Sequence, residues 1–208
     1  MILYCAADPN YFENYFDLWA RQCNKHYSNF RKLVALYKPT EEAIRKCNHY
    51  KIEYRDITDK FVTNPTRNHF YLLRWLFLPY DLELPILETQ INCLPIQYQK
   101  FDKINVEHLR ISRMKRGKLG GVSAAIFTSK GAEKVVKQAR GMMSDPPDSD
   151  HSMNVWQEQN LTHRHIKGEQ QFKILNRVIE EDTCWITAGT SQHWSVKQKL
   201  EILRHYIR

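Results

Sequence analysis

Small, polar and aromatic side chains follow one another directly after the first apolar run of the chain. Ala6 and Ala7 are small enough for a flat ring to lie close to main-chain N–H and C=O groups. Asp8 can accept hydrogen bonds, Asn10 can both donate and accept them, and Tyr11 offers a flat face for stacking. These residue types, in this order, predict a loop that binds a base and its ribose. The same residues also fit an ordinary helix start, with Asp8 as the N-cap and Tyr11 in the core.

The two common phosphate-binding loops are absent from the sequence. No GxGxxG follows the first apolar run, and no GxxxxGK followed by Ser or Thr occurs anywhere. A GxSxG nucleophile elbow is also absent, which gives an α/β-hydrolase little support. Nucleotide binding therefore needs another device, and the opening stretch supplies one.

The elements that must position this loop alternate between strands and helices. Strands are predicted over Ile2–Ala6, Lys32–Tyr37, Ile52–Ile57, Leu84–Leu94, Leu119–Thr128 and Cys184–Thr187. Helices are predicted over Asn10–His26, Pro39–His49, Thr66–Leu78, a segment capped by Ser129 that ends near Ala139, Gly168–Glu180 and Val196–Ile207. This alternation predicts an α/β fold with a mostly parallel central sheet flanked by helices. Ligands bind beyond the carboxyl ends of strands in such sheets, and the polar segments at Asp8 and Glu88 fall there.

Length and composition fit one soluble domain. The chain has 208 residues, of which 42% are hydrophobic and 26% are charged, enough for a sizeable core and an ordinary surface. Neither a signal-peptide pattern nor a run of about 18 to 20 apolar residues occurs, so a cytoplasmic location is expected. Five widely spread cysteines without CxxC spacing predict reduced, buried thiols rather than a zinc site.

The formal net charge of +8 predicts an anionic partner. Nucleic acid is one candidate, but the basic residues are dispersed, and no RNP, KH or zinc-finger pattern occurs. The densest basic cluster, Arg110–Lys118, contains one glycine and no aromatic residue. It fits a solvated helix end or loop, or a flexible basic lid over phosphates or an acidic acceptor.

The opening stretch resembles the first strand and nucleotide loop of family 8 glycosyltransferases, which are retaining enzymes with a GT-A fold. Their opening is a hydrophobic strand followed by Ala-Ala-Asp-x-Asn-Tyr, and Ala6–Tyr11 reads Ala-Ala-Asp-Pro-Asn-Tyr. A second stretch, His69–Pro79, is similar to the family's Tyr-x-x-Arg-Leu helix. The resemblance places Arg74 where the family has an arginine that reaches the donor. An arginine paired on the helix surface is the alternative.

The strand Pro85–Pro95 lies where the family has a strand that ends in Asp-x-Asp, a pair that holds a divalent cation. Glu88 and Gln90 stand in those two places. The resemblance implies Mn²⁺ or Mg²⁺ as the cofactor, with His193 as the histidine that completes the metal site. A glutamate and an amide still offer hard oxygen ligands, but with one negative charge instead of two. This departure predicts weaker metal binding and leaves a metal-independent or degenerate site open.

Three later stretches carry the resemblance toward the end of the chain. Lys118–Phe127 is similar to the strand that lines the family's sugar pocket, with Gly121 in the stretch where the family has its asparagine. Glu169 matches the aspartate that binds donor-sugar hydroxyls, and Gln170 matches the glutamine near the anomeric carbon. The resemblance implies that both act at the catalytic centre together with the arginine of the earlier helix. Lys197 is the candidate for the diphosphate.

Taken over the whole chain, the resemblance implies a single GT-A domain, with residues 1–95 binding the nucleotide and residues 96–208 binding sugar and acceptor. The implied reaction transfers a hexose from a UDP-sugar to a glycan or protein-linked acceptor with retention. Similar short cytoplasmic domains occur in large algal DNA viruses, where they glycosylate capsid glycans, and the chain fits that origin. Two alternatives stay open: a nucleotide-sugar binding module without catalysis, and a basic nucleic-acid-binding protein.

Overall fold

The computed structural model describes residues 1–98, 108–115, 118–149, 152, 172–174, 185–187 and 195–207. Its strands are β1 (Ile2–Ala7), β2 (Arg31–Leu36), β3 (Glu53–Asp56), β4 (Ile86–Thr89), β5 (Cys93–Pro95), β6 (His108–Lys115), β7 (Lys118–Phe127), β8 (Phe172–Ile174) and β9 (Trp185–Thr187). Six of them form the central sheet, in the order β3-β2-β1-β4-β7-β6. The first four of these run parallel, whereas β7 pairs antiparallel with both β4 and β6. The strands β5, β9 and β8 form a small second sheet.

Helices cover both faces of the central sheet. The described helices are α1 (Pro9–His26), α2 (Glu41–His49), α3 (Arg67–Leu76), α4 (Ser129–Gly141) and α5 (Val196–Tyr206). Because successive side chains of a strand point to opposite faces, β1 contributes to two cores. Leu3 and Cys5 pack in the core that also contains buried residues of α1 and α2, and Ile2 and Tyr4 pack in the core with α3 and α4. β1 is therefore buried on both faces, and the candidate loop directly follows it in the chain.

Most predicted elements are confirmed, with ends that agree to within two residues. The strand predicted over Leu84–Leu94 is corrected, because it is two strands in different sheets. The first, β4, ends at Thr89, and a turn follows in which the Cys93 N–H donates to the Gln90 carbonyl oxygen (2.9 Å). Apolar, strand-forming residues stand on both sides of Glu88–Gln90, so the pattern does not mark the turn between them.

Two further local predictions are corrected. The basic cluster is neither a helix end nor a loop over most of its length, because Arg110–Lys115 belongs to β6 and Lys118 opens β7. The helix predicted over Gly168–Glu180 is wrong for Phe172–Ile174, which pairs as β8 with β9; the rest of that stretch lies outside the described residues.

The cap of α4 also differs from the sequence prediction by one residue. Thr128 is the N-cap, and its side chain accepts a hydrogen bond from the Gly131 N–H (3.1 Å), whereas Ser129 is the first helical residue. Ser and Thr are both good N-caps, so the sequence alone does not choose between neighbours. Within the described part of the chain, no helix combines the length and the apolar character needed to cross a bilayer.

Candidate functional site

Three parallel strands end side by side at one edge of the central sheet. β1 ends at Ala7, β2 at Leu36 and β4 at Thr89. In the pairing of β1 with β2, Ala7 lies opposite Leu36 and Ala6 lies opposite Ala35. The loops after β1 and β2 and the turn after β4 therefore begin at the same edge, which has small side chains at its centre. This is the edge at which an α/β sheet binds ligands.

Asp8 caps α1 at this edge. Its Oδ1 accepts a hydrogen bond from the Tyr11 N–H (3.0 Å), and Pro9 occupies the first helical position, where no N–H is needed. The Asp8 carboxylate is half-buried, and one of its two oxygens accepts the capping hydrogen bond. The helix-start interpretation of the opening is thus confirmed for Asp8, and the cap holds this carboxylate in a fixed position at the strand end.

Asn10 and Tyr11 lie on the solvent side of the first turn. Tyr11 is 44% exposed, so the expectation that it lies in the core is wrong. Its ring centroid lies 5.8 Å from that of the Tyr15 ring. Asn10 is exposed, and both its carbonyl and its side-chain oxygen accept from the Asn14 amide (2.7 and 3.1 Å). The first turn therefore presents a stacking surface and a polar amide next to the capped carboxylate.

A shallow depression lies between the first turns of α1 and α2. Its walls are Ala7, Pro9, Phe12, Glu13, Leu36, Tyr37, Lys38, Pro39, Thr40 and Ala43. Lys38 has φ +49°, a left-handed backbone conformation that costs a non-glycine residue about 1–2 kcal/mol. A hydrogen bond from its N–H to the Thr58 Oγ1 (2.9 Å) holds that conformation, and its Nζ lies 5.3 Å from the centroid of the Tyr37 ring. The sequence does not single out Lys38, because its position depends on this turn conformation.

The end of β4 is anchored from both faces of the sheet. Thr89 is buried and its Oγ1 accepts a hydrogen bond from the Trp19 Nε1–H of α1 (3.1 Å). Glu88, the preceding residue, points to the other face, where Arg74 of α3 meets it. Alternation along the strand therefore separates the two side chains and ties β4 to a helix on each side.

Arg74 and Glu88 form a buried, two-pronged ion pair. The Arg74 Nε donates to the Glu88 Oε1 at 2.6 Å, and the Arg74 Nη2 donates to the Glu88 Oε2. Glu88 is completely buried and Arg74 is 8% exposed, with its guanidinium carbon 4.3 Å from the centre of the Trp75 ring. Burial raises the pKa of the Glu88 carboxyl, and the Arg74 guanidinium opposes that rise. The interpretation of Arg74 as a surface-paired arginine is corrected: it is paired, but inside the protein.

The predicted metal ligands are only partly brought together. Glu88 has both oxygens bonded to Arg74, and Gln90 begins the turn that follows β4. Among the described residues, no three His, Cys, Asp or Glu side chains are grouped closely enough to hold a metal ion. His193 lies outside the described residues. Glu88 in this arrangement does not fit a metal ligand, because a divalent cation would have to displace a guanidinium from it.

The remaining predicted site residues lie in the second half of the sequence. Gly121 lies in β7, the antiparallel neighbour of β4. Lys197 is exposed in the first turn of α5, which Ser195 caps. Glu169 and Gln170 lie outside the described residues, so their roles stay predictions.

Solved structures resemble the chain, whereas two comparisons of its sequence find no match. No protein-family model matches it, and no curated protein sequence matches it significantly. The galactosyltransferase LgtC in complex with donor and acceptor sugar analogues superposes with a TM-score of 0.62 at 12% identity, covering 99% of this chain and 96% of that one. The apo form of the glycosyltransferase GlyE of Streptococcus pneumoniae gives a TM-score of 0.63 at 10% identity, covering 97% of this chain and 59% of that one. This chain has a GT-A fold.

The resemblance implies a GT-A fold, and that prediction is confirmed. Alternating strands and helices, a mostly parallel sheet and an antiparallel neighbour at β7 are all present in the described residues. At 10–12% identity the likeness concerns the path of the chain. The likeness therefore shows the fold alone.

Proposed function

We propose that this chain is a glycosyltransferase that moves a hexose from a UDP-sugar to a glycan or protein-linked acceptor. One observation carries the proposal: the Ala6–Tyr11 loop leaves β1 at the ligand-binding edge of a GT-A sheet, with Asp8 fixed by its cap and Tyr11 44% exposed. Two solved structures of this fold that match nearly the whole of this chain are glycosyltransferases.

Each group of the loop has a role in binding the nucleotide. The small side chains at the end of β1 let the base approach the backbone. Asp8 accepts hydrogen bonds from the base or ribose through the oxygen that the cap leaves over, and Asn10 supplies an amide. Tyr11 stacks on the base. Lys38, at the end of the neighbouring strand, adds positive charge that favours an anionic ligand.

The transfer step itself is assigned from the family resemblance. In a retaining transfer the bond from the anomeric carbon to the diphosphate oxygen breaks, and the acceptor oxygen bonds to the same face of that carbon. The acceptor proton passes to the departing phosphate oxygen. Glu169 and Gln170 lie nearest the reacting carbon in this proposal, Arg74 and Gly121 belong to the sugar pocket, and Lys197 meets the diphosphate. Donors aimed at the departing oxygen stabilise the charge that develops there.

The resemblance also supports assignment to glycosyltransferase family 8. Residues 1–95 then form the nucleotide-binding half and residues 96–208 the sugar and acceptor half. The described groups at the β1 and β2 ends, Asp8 and Lys38, both lie in the first half, as this division requires. The resemblance further suggests a capsid glycan of a large algal DNA virus, in a cytoplasmic setting, as the acceptor.

The resemblance implies Mn²⁺ or Mg²⁺ as the cofactor. Glu88 does not fit as a ligand while it is paired with Arg74. Gln90 and His193 stay predicted ligands.

Substitutions at Asp8 test the proposal by separating its capping role from its role in binding. Asp8→Ser keeps a good N-cap but removes the carboxylate, whereas Asp8→Ala removes both. We expect UDP at about 100 times its Kd to stabilise the wild type by about 2.7 kcal/mol. Asp8→Ser should keep the melting temperature of the free protein and lose most of the stabilisation by UDP.

A matched control is the N-cap of α4, at Thr128. Thr128→Ala removes a side chain that caps α4 through the Gly131 N–H. We expect it to cost about 1 kcal/mol, as Asp8→Ala does, while leaving the UDP-induced shift unchanged. Equal shifts in wild type and Asp8→Ser, or no shift with UDP at all, would remove the basis of the proposal.

A further inference from the structure

The hairpin formed by β6 and β7 extends beyond the ligand-binding edge of the central sheet. β4 ends at Thr89, which lies opposite Ala124 of β7. Because β7 runs antiparallel to β4, its earlier residues, 118–123, continue past the end of β4 in the direction in which β4 points. A strand segment of this length spans about 20 Å. The far end of the hairpin therefore lies beyond the edge at which the nucleotide is proposed to bind.

Positive charge is concentrated on this extension. β6 and β7 together contain four Lys or Arg residues and no Asp or Glu. Arg110 pairs with Ala125, which also pairs with β4, so Arg110 lies within the sheet. The other three, Arg113, Lys115 and Lys118, lie beyond the end of β4. The hairpin thus carries three cationic residues past the edge, and its own strands supply no acidic residue to neutralise them.

Two of these cationic residues occupy opposed positions in the hairpin. Lys115 and Lys118 are direct partners in the β6–β7 register. Like charges at directly opposed positions of an antiparallel pair destabilise that pair. A bound anion would remove the repulsion, so the end of the hairpin is a favourable place for a negatively charged group.

The hairpin lies on the side of the site that the proposed function gives to the acceptor. The candidate nucleotide loop leaves β1, and β7 is the second strand from β1 in the sheet order. Since neighbouring strands lie about 4.8 Å apart, β7 is about 10 Å from β1. Both strands of the hairpin also belong to residues 96–208, the proposed sugar and acceptor half.

We infer that the far end of the β6–β7 hairpin binds an anionic group of the acceptor, and that the acceptor is an acidic glycan rather than a neutral one. The inference rests on the proposed function and narrows its acceptor. Arg113, Lys115 and Lys118 supply the attraction. Nucleic acid is the other abundant polyanion, but β6 and β7 contain no aromatic residue before Phe127 on which bases could stack.

Calorimetric titration of the full chain with two oligosaccharides of equal length tests the inference. One is an oligomer of galacturonic acid, and the other is a neutral oligomer of galactose. We expect the acidic oligomer to bind at least about tenfold more tightly at low ionic strength, and the difference to shrink at high salt. Equal affinities for the two oligomers overturn the inference. A DNA duplex of matched charge that binds as tightly as the acidic oligomer also overturns it, in favour of a nucleic-acid site.

The variant Lys115→Gln/Lys118→Gln tests the location of the site. We expect its affinity for the acidic oligomer to fall about fivefold to tenfold. The melting temperature of the free protein should not fall, because the substitution removes a like-charge pair. The matched control, Lys134→Gln/Lys137→Gln, removes the same charge from exposed positions of α4, which follows the opposite end of β7. Equal losses of affinity in the two variants would make net charge the cause and overturn the inference.

Titration of the same proteins with UDP separates this inference from the proposed function. We expect Lys115→Gln/Lys118→Gln to bind UDP within about twofold of the wild type. A loss of UDP affinity as large as the loss for the acidic oligomer would place these cations at the donor diphosphate and overturn the inference alone. A wild type that binds the acidic oligomer but not UDP would overturn the proposed function and leave the hairpin as an anion-binding site.

Discussion

The buried pair at the end of β4 makes the sharpest prediction about stability. Glu88→Gln keeps the shape of the side chain but removes its charge, and so breaks the ion pair with the Arg74 guanidinium, which is only 8% exposed. Removing one partner of a buried pair costs about 3–5 kcal/mol. Because glutamine keeps one acceptor oxygen, we expect about 3 kcal/mol, which for a chain of this length lowers the melting temperature by about 6–12 °C.

An exposed pair of the same geometry provides the reference. Arg31 and Glu53 also form two hydrogen bonds, but their side chains are 40% and 50% exposed. Solvent screens such a pair, so Glu53→Gln should cost no more than about 1 kcal/mol. The contrast between the two variants isolates burial as the cause.

Urea denaturation followed by circular dichroism and tryptophan fluorescence measures both losses. Trp75 is a suitable reporter because its ring lies 4.3 Å from the Arg74 guanidinium carbon. The double variant Arg74→Met/Glu88→Leu should be more stable than Glu88→Gln, because it removes both charges of the buried pair. Equal losses in Glu88→Gln and Glu53→Gln, or a loss below about 1 kcal/mol in Glu88→Gln, would refute the assignment of this pair as a buried anchor.

Two other predictions concern the ligand edge and the thiols. Lys38→Asn should lower the affinity for UDP by about twofold to fivefold, an effect that shrinks at high salt. The control is Lys51→Asn, which should not change that affinity. Lys51 also has a left-handed backbone conformation (φ +55°) and lies next to the start of β3. Equal affinities of the two variants in a UDP titration would place the ligand elsewhere. Burial raises the pKa of the Cys47 thiol to about 12, and Cys5, Cys23 and Cys93 are also buried, so these four thiols should react with Ellman's reagent at pH 8 only after unfolding. Fast reaction of more than one thiol per native chain would contradict the described core.

The sequence predicts the framework of the site because each of its parts is a local pattern. The apolar run of β1, the Asp8 cap and Pro9 lie within a few residues of one another, and each has a direct physical meaning. Strand–helix alternation then places the ends of β1 and β4 at one edge of the sheet. The GT-A fold follows from these local signals together with the resemblance.

The features that the sequence does not predict all depend on contacts between distant elements. Glu88 and Arg74 are 14 residues apart on a strand and a helix, and only the packing of α3 beneath β4 joins them. The left-handed turn at Lys38 depends on the Thr58 side chain, 20 residues away. The strand pairing of Phe172–Ile174 with β9 likewise overrides a helical apolar pattern. Tertiary contacts, which no local pattern encodes, decide each of these cases.

Release of free sugar from UDP-sugars tests the central claim most directly. Incubation of the full chain with a panel of UDP-hexoses, in MnCl₂ and separately in EDTA, followed by proton NMR, reports both the release of UDP and the configuration of the first sugar formed. If the chain is a glycosyltransferase of the proposed type, it should hydrolyse at least one donor slowly and with retained configuration. Asp8→Ser should reduce the rate of that hydrolysis by more than about tenfold. Binding of UDP-sugars with no release of UDP, with or without Mn²⁺ and candidate glycan acceptors, would contradict catalysis and leave a binding module.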